Sequence, residues 1–295
     1  MLRRLCGALV VLLLVPAPSY AWGTAAHRAI MRRALDLLPP ELKAYFGERR
    51  EEMIARSTDP DMWRSLDLNE DPNHFVNFGD PQLGPFPFTA YPRDYSAALA
   101  KFGPLSLSKL GTLPFREEEL FGSLKRAFEQ VAKGNGVAKD ESYMFAAAAA
   151  HYLQDATQPL HASHNYDGQL TDQRGVHARF ETDLFTRFES RLTLTPAAPK
   201  PFASSRDIAF ETLLASWQKV DELLKADKDA IGSRDTYDDA YYEAFFAKVK
   251  PMMEERLSTA MSLTASMIVS AWEQAGKPNL HPAIVREPRK VQRSR

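Results

Sequence analysis

Residues 140–157 read DESYMFAAAAAHYLQDAT, and this stretch decides the fold. Alanine has the most favourable helix propensity of all residues, so the run of five alanines at 146–150 predicts a stable helix. Because alanine side chains are small, neighbouring helices can approach this one closely. We therefore expect the helix to lie at the centre of a bundle, and the residues that follow the run to lie near the middle of the molecule.

Apolar residues recur at helical intervals along most of the remaining chain, and no convincing run shows the two-residue period of a strand. The sequence predicts an all-α fold: a single multi-helix domain with one long irregular excursion at about 58–115, rich in proline and aromatic residues. The other predicted helices cover residues 24–38, 41–57, 116–133, 175–191, 206–227 and 235–275, the last interrupted at Pro251.

The two ends of the chain differ in composition from the rest. Two arginines precede an apolar run at 5–15, and a small-x-small triplet at 19–21 follows, which is typical of a cleavable signal peptide. The run is shorter than the ~20 residues of a membrane span, so we expect cleavage after Ala21 and a secreted or periplasmic protein. The domain would cover 22–276, and residues 277–295 would form a basic, disordered tail.

Charge and cysteine content restrict the classes of function. Removal of residues 1–21 takes Arg3 and Arg4 away, so the formal net charge changes from −1 to −3. A domain that binds nucleic acid through its own surface is expected to be basic, so an anionic substrate would need a local positive charge such as bound metal. The only cysteine, Cys6, lies in the signal segment. A zinc site must then use histidine, carboxylate and main-chain ligands.

Two pairs of candidate metal ligands are spaced four residues apart. His151 precedes Asp155, and His177 precedes Glu181. Residues four apart share one face of a helix, with Cβ atoms ~5–6 Å apart, so each pair can converge on one cation. His161 lies between the pairs. Metal sites in helical bundles are built from inward-facing side chains of this kind.

Further candidate ligands precede these pairs. Trp22 and His27 begin the domain, Asp61 follows a proline, and His74 precedes a phenylalanine. In their order, these elements and the two pairs with His161 resemble the zinc-dependent phospholipase C/P1 nuclease family. That family has an N-terminal tryptophan, a nearby histidine, a Pro-Asp element, a His-Phe element, HxxxD, a histidine, and HxxxE or HxxxD. The resemblance spans residues 22–181.

The resemblance implies a centre of three zinc ions in an all-α fold. One ion would be bound by Asp61, His74, His151 and Asp155, and a second by His161, His177 and Glu181. The third would be bound by His27, Asp155, and the α-amine and carbonyl oxygen of Trp22, so that Asp155 bridges two ions. Only a chain that begins at Trp22 offers that free amine, so signal peptidase would create the ligand.

The resemblance also implies a secreted zinc-dependent phosphodiesterase that uses a zinc-activated hydroxide, with Asp61 as the catalytic residue that orients or deprotonates the water. Glu181 in the last pair, where the nuclease branch usually has aspartate, and the lack of cysteine after residue 21 favour a phospholipase C-like enzyme. Its substrate would be phospholipid head groups, with transient contact to a membrane surface and no obligate protein partner.

Two other functions stay open at the level of sequence. The choline-binding pattern of one bacterial phospholipase subgroup is missing, since Ala25 and Met62 stand where that subgroup has glutamate and tyrosine. A nuclease that prefers single strands could use the same site on single-stranded nucleic acid. A zinc-binding protein without turnover is the third possibility.

Three features have no definite assignment. The aromatic segment 84–92, GPFPFTAYP, would either line the site, where its rings contact lipid or stack on a base, or pack onto the core. His164 is close to the predicted cluster but has no counterpart in the family pattern. His281 is expected to be solvated.

Overall fold

The structure is a computed structural model, and it describes residues 22–67 and 69–281. The predicted signal peptide at 1–21 and most of the predicted basic tail lie outside the described residues. All regular elements within these ranges are helical, which confirms the all-α single-domain prediction. None of the helices in the described part of the chain is both long and apolar enough to cross a bilayer.

The α-helices of the described residues are separated by short turns and by a few longer segments, such as 64–94. In chain order they are α1 (Thr24–Leu37), α2 (Pro40–Gly47), α3 (Arg50–Arg56), α4 (Asp59–Trp63), α5 (Tyr95–Leu110), α6 (Leu113–Val131), α7 (Gly136–Asp155), α8 (Val176–Ala178), α9 (Phe185–Phe188), α10 (Ser205–Trp217), α11 (Val220–Ile231) and α12 (Asp239–Gln274). Short 3₁₀ turns occupy Asp71–His74, Pro81–Leu83, Pro159–Ala162 and Glu189–Arg191, and a π-helical turn, Arg179–Leu184, joins α8 to α9.

Helix α7 is the centre of the bundle, as the alanine run predicts. It contacts α1, α3, α4, α6 and α12, and the five alanines at 146–150 are all buried. Asn135 caps its first turn by accepting hydrogen bonds from the main-chain N–H groups of Val137 and Ala138. Because other helices surround α7, its C-terminal turn, which carries His151 and Asp155, lies deep inside the protein.

Buried apolar side chains form two clusters, and the candidate ligands lie where the clusters meet. One cluster surrounds α6 and α7, and the other surrounds α11, α12 and the π-helical turn. Helix α1 contributes to both, with Ile30 in one and Met31 in the other. The segment after α7 also contributes to both, through Ala156 and Leu160.

The predicted irregular excursion at 58–115 needs a correction, because it contains α4 and the longer helix α5. Asp94 caps α5 by accepting a hydrogen bond from the N–H of Ala97. The helix is kinked at Gly103, whose φ of 70° and ψ of 165° are non-helical, and Pro104 follows. The Gly-Pro pair indicates a break, but glycine can adopt the positive φ that lets the chain resume its helical course after it.

The aromatic segment 84–92 packs onto the core. Phe88 stacks on Phe78 with ring centroids 4.6 Å apart, and Phe86 stacks on Trp217 at 5.4 Å. Tyr91 is buried, and its hydroxyl donates to the carbonyl oxygen of Gly111. The rings are therefore engaged with one another, and none of them lines the cleft described below.

The predicted interruption of the last helix at Pro251 is also corrected. Helix α12 continues through Pro251, although an interior proline costs ~3 kcal/mol of helix stability. The side chains of Met252 and Met253 are buried beside it, and burial of such side chains contributes ~1.5–3 kcal/mol each, which offsets that cost. Core contacts also extend past residue 276, since Leu280 is buried. His281 lies 3.4 Å from Glu48 and is half-exposed.

The segment between α9 and α10 is attached to α12 by a ladder of serines. The main-chain N–H groups of Thr195, Ala197, Lys200 and Phe202 donate to the hydroxyls of Ser258, Ser262, Ser266 and Ser270, at 2.9–3.0 Å. Successive serines are four residues apart on α12, and four helical residues rise ~6 Å. Where the next donor in the attached segment is two residues further on, that segment advances ~3 Å per residue, which is an extended conformation. We call residues 193–202 the strap.

Glu117 of α6 is fully buried, and neither carboxylate oxygen has a hydrogen-bond partner among the described residues. Burial raises the pKa of Glu117 well above its usual range. The folded state thus keeps a proton that the unfolded state releases above about pH 4.3, so this residue makes the protein less stable as pH rises.

We therefore predict that Glu117→Gln removes part of the pH dependence of stability. Relative to the unsubstituted protein, its free energy of unfolding should increase from about pH 5 upward, by up to ~1.4 kcal/mol per pH unit until the raised pKa is passed. Urea unfolding at several pH values measures this. Glu118→Gln, at the half-exposed neighbour, is the matched control. Parallel pH curves for Glu117→Gln and the unsubstituted protein would contradict the prediction.

Candidate metal centre

Histidine and carboxylate side chains from separate parts of the chain converge beside the C-terminal end of α7. Within the described residues they form three buried groups whose ligand atoms lie within 4.8 Å of one another. The groups are Asp61, His74 and His151; His161, His177 and Glu181; and His27, His151 and Asp155. Each group can hold a metal ion. Eight of the nine residues predicted as ligands are thus brought together, and Trp22 is discussed separately.

The first group has the spacing of a tetrahedral site. His151 Nε2 lies 3.1 Å from His74 Nδ1 and 3.7 Å from Asp61 Oδ1. Asp155 Oδ2 lies 3.0 Å from His74 Nδ1 and 3.3 Å from His151 Nε2. Ligand atoms ~2.0–2.2 Å from a tetrahedral zinc ion lie ~3.3–3.6 Å from one another, a value that these distances bracket.

The second group joins the turn after α7 to the π-helical turn. His177 Nε2 lies 2.9 Å from Glu181 Oε2 and 3.1 Å from His161 Nε2. The wider π-helical turn carries Glu181, where the sequence predicts an ordinary helix. Such turns occur often at functional sites. The amide of Gln158 donates to Glu181 Oε2 at 2.9 Å and holds the carboxylate in place.

Asp155 connects the groups through its two oxygens. Oδ2 faces His74 and His151, as given above, whereas Oδ1 lies 3.3 Å from His27 Nε2. On its other side, His27 Nδ1 is 2.6 Å from the amide oxygen of Gln154, to which it donates. The carboxylate is thus arranged to bridge two metal ions, with Oδ2 facing the first group and Oδ1 facing the third group.

Trp22 lies fully buried at the start of the described chain. Its indole N–H donates to the hydroxyl of Thr157 at 3.0 Å, which attaches it to the turn after α7. A Cβ atom on Gly23 would lie 2.5 Å from the hydroxyl oxygen of Thr182, so only glycine permits this approach to the π-helical turn. The beginning of the domain is therefore held against the elements that carry Asp155 and Glu181. The role of the Trp22 main chain as a ligand stays a prediction.

Main-chain carbonyl groups fix the orientation of three of the histidine rings. The Nδ1 atoms of His151, His161 and His177 lie 2.8, 2.5 and 2.8 Å from the carbonyl oxygens of Ser57, His74 and Tyr166. A carbonyl oxygen only accepts, so each Nδ1 carries a proton, and in the neutral ring each Nε2 presents its lone pair to a group. This arrangement is characteristic of metal-binding histidines.

Several polar atoms at the centre are buried without a hydrogen-bond partner among the described residues. They are both carboxylate oxygens of Asp61, Oδ1 of Asp155 and Nε2 of His27. Each such atom costs ~1–3 kcal/mol when it is left unsatisfied. These are the atoms that point into the first and third groups, and a divalent cation would satisfy them. The donor set of imidazole and carboxylate is one that zinc accepts.

The protonation of the centre reflects burial and mutual charge. Burial opposes protonation of His151, yet the carboxylates of Asp155 and Asp61 raise its pKa to about 9. Burial is the main cause that lowers the pKa of His161 to about 3, and it raises the pKa of Glu181. A metal ligand must be deprotonated, so a cation would compete with protons here, most directly at His151.

A cleft of about 610 Å³ opens onto the centre. His74, His161 and His177 line it, whereas the side chains of the third group are fully buried. Three potential cations also line the cleft, namely Arg64, Lys109 and His164. His164, left unassigned from the sequence, lies 3.6 Å from the carboxylate of Asp80. A ligand in this cleft would reach the first group at His74 and the second group at His161 and His177.

Sequence reasoning missed the residues that orient the ligands. Gln154 and Gln158 contact His27 and Glu181 as described above, and Glu70 lies beside His74. The one available signal was the four-residue spacing of Gln154 and Gln158, which lie in the last turn of α7 and just after it, among the candidate ligands. Their partners come from distant parts of the chain, so no local pattern identifies them.

Comparison with known proteins adds no relative. No model of a known protein family matches the chain, and no curated protein matches it significantly. The resemblance to the phospholipase C/P1 nuclease family therefore depends on the nine positions themselves.

We predict that zinc added to metal-free protein stabilises the fold through these groups. A ligand at a thousand times its Kd adds ~4 kcal/mol to the free energy of unfolding, which corresponds to a rise in Tm of roughly 10 °C for a chain of this size. Thermal unfolding and metal analysis measure the stabilisation and the stoichiometry. His161→Ala should bind at least one ion fewer per chain.

The matched control is His164→Ala, since His164 lines the same cleft but belongs to none of the three groups. It should keep the full stoichiometry and the full rise in Tm. Equal zinc stoichiometry in His161→Ala and the unsubstituted protein would rule out the second group as a metal site.

Proposed function

We propose that this protein is a zinc-dependent phosphodiesterase. The observation that carries the proposal is the arrangement of the three buried groups beside one cleft, in which His151 belongs to the first and third groups and the Asp155 carboxylate lies between those two. Divalent ions bound in the three groups would outweigh the three carboxylates at the centre and add positive charge beside the cleft, whose lining holds Asp71, Asp80 and Asp167 as well as Arg64 and Lys109. An anionic phosphodiester is the substrate class that such a cleft attracts.

The residues divide the chemistry between them. Zinc ions held by the three groups would polarise a phosphoryl oxygen and lower the pKa of a coordinated water. Asp61 is buried at the first group, and its carboxylate can orient the attacking water and accept its proton. Arg64 Nη1 lies 3.9 Å from Asp61 Oδ1 and lines the cleft, where its charge favours an anionic substrate.

A phospholipid is the substrate that the surroundings of the cleft favour. Met62 and Leu66, on either side of the cleft residue Arg64 in sequence, are highly exposed, and Tyr166, which lines the cleft, is half-exposed. Exposed apolar side chains in the segment that contributes Arg64, together with Tyr166 in the cleft, suit contact with a membrane surface and entry of a lipid head group. Phe86 stacks on Trp217, and neither ring lines the cleft, so the pair provides no platform there for bases.

We predict that Asp61→Asn lowers kcat by ~10²–10⁴, the range associated with loss of a general base. The assay is hydrolysis of bis-nitrophenyl phosphate by protein that begins at Trp22. Asp59→Asn is the matched control, since Asp59 lies on the same short helix, pairs with Arg56, and belongs to no group. Turnover of Asp61→Asn close to that of the control would exclude the role given to Asp61.

The same assay separates the substrates. Phosphatidylcholine and phosphatidylethanolamine vesicles are compared with single-stranded DNA, each with chelator and after zinc is restored. Release of phosphorylated head group supports the phospholipase C-like function, whereas cleavage of DNA alone supports the nuclease. If the protein binds zinc but hydrolyses none of these substrates, including bis-nitrophenyl phosphate, the third possibility remains, namely a zinc-binding protein without turnover.

The third group gives a prediction about the N-terminus. If the α-amine of Trp22 is a ligand together with His27 and Asp155, a chain with a few extra residues before Trp22 lacks that amine and should bind one zinc fewer. Metal analysis of the two forms measures this, with the same residues added at the C-terminus as the control. Full stoichiometry in the N-terminally extended form would refute the role of Trp22.

A further inference from the structure

His74 is oriented differently from the other candidate ligands. His151, His161 and His177 turn Nε2 toward a group, and their Nδ1 atoms contact main-chain carbonyls. His74 turns Nδ1 toward the first group instead, at 3.0 Å from Asp155 Oδ2. Its Nε2 points away and must carry the proton of the neutral ring when Nδ1 is a ligand.

That Nε2 is buried and has no hydrogen-bond partner among the described residues. An unsatisfied buried N–H costs ~1–3 kcal/mol. The carboxylate of Glu70 lies next to it, with Oε1 3.6 Å from His74 Nε2. Glu70 is itself buried, with 6 % of its surface exposed, so its charge is held in place beside the ring.

Three other residues hold the Glu70 carboxylate. The hydroxyl of Tyr152 donates to Oε1, and the amide of Asn73 donates to Oε2 at 3.3 Å. Arg116 Nη2 lies 3.7 Å from Oε2. Tyr152 directly follows His151 on α7, so the helix that supplies two candidate ligands also anchors the carboxylate beside a third. Glu70 therefore belongs to the framework of the centre although it is no ligand itself.

We propose that Glu70 is a positioning residue that orients His74 and strengthens it as a metal ligand. A carboxylate that accepts from the outer N–H of a histidine fixes the ring and raises the basicity of the nitrogen that binds the metal. The inference rests on the proposed metal centre and goes beyond it, because the family pattern described above has no element at this position. Glu70 acts through His74 and touches no substrate.

The competing explanation is that Glu70 serves only to pair with Arg116 and attach the Asp71–His74 turn to α6. The two explanations differ in what Arg116 does. If the pair only joins two elements, Arg116→Gln and Glu70→Gln should have the same effect. If Glu70 positions His74, the metal affinity depends on Glu70 and Tyr152 far more than on Arg116.

The experiment measures metal affinity without turnover. Zinc affinity is determined by competition with a chromophoric chelator, and Co²⁺ replaces zinc so that its visible spectrum reports the ligand field. Loss of an outer carboxylate partner of a metal-binding histidine weakens metal binding ~10–100-fold. We expect ~10-fold for Glu70→Gln, which keeps an acceptor, and ~100-fold for Glu70→Ala, both with an altered Co²⁺ spectrum. Glu70→Asp should recover part of the loss.

The matched control is Arg116→Gln, which should change the affinity by less than about threefold and leave the Co²⁺ spectrum unchanged. Thermal unfolding of the metal-free variants checks that each one folds. Unchanged affinity in Glu70→Gln and Glu70→Ala, or an equal loss in Arg116→Gln, would overturn the role of Glu70 while leaving the metal centre intact. Failure of the unsubstituted protein to bind zinc or Co²⁺ would overturn the metal centre and this role with it.

Discussion

The carboxylate of Asp155 is fully buried, and the arrangement of the centre depends on it. A buried charge is costly unless it is paired, so the surrounding side chains must compensate for it. His74 and His151 approach one oxygen, and His27 approaches the other. Those three histidines come from a 3₁₀ turn, from α7 and from α1, so satisfying one carboxylate fixes three elements relative to one another.

The chain has a single cysteine, Cys6, so it cannot form a disulfide within itself, and the candidate centre offers another way to cross-link its helices. Its candidate ligands come from separate elements, namely α1, α4, the Asp71–His74 turn, α7, the Pro159–Ala162 turn, α8 and the π-helical turn. A metal ion shared by such elements contributes its binding free energy to folding, because the unfolded chain offers no preformed site. The two apolar clusters enclose this polar region, so the hydrophobic core and the candidate centre stabilise the same contacts between helices.

Much of the fold and of the candidate site could be predicted because both depend on local pattern. The alanine run determines α7, and the four-residue spacing of His151 and Asp155 places both on one face. The rest depends on contacts that no local pattern encodes. Helix α12 continues through Pro251 because buried neighbours offset the cost, and the π-helical turn changes the direction of Glu181. Glu70 meets its partner only through the tertiary fold.

The strap has a consequence for encounters between molecules. An extended segment usually offers alternate N–H groups to a second chain, which makes it a template for aggregation. Here the serine ladder of α12 takes the N–H groups on one side. Prolines at 196, 199 and 201, which have no N–H, interrupt the other side. A helical protein thus carries extended chain across its surface without offering another molecule a regular edge to pair with.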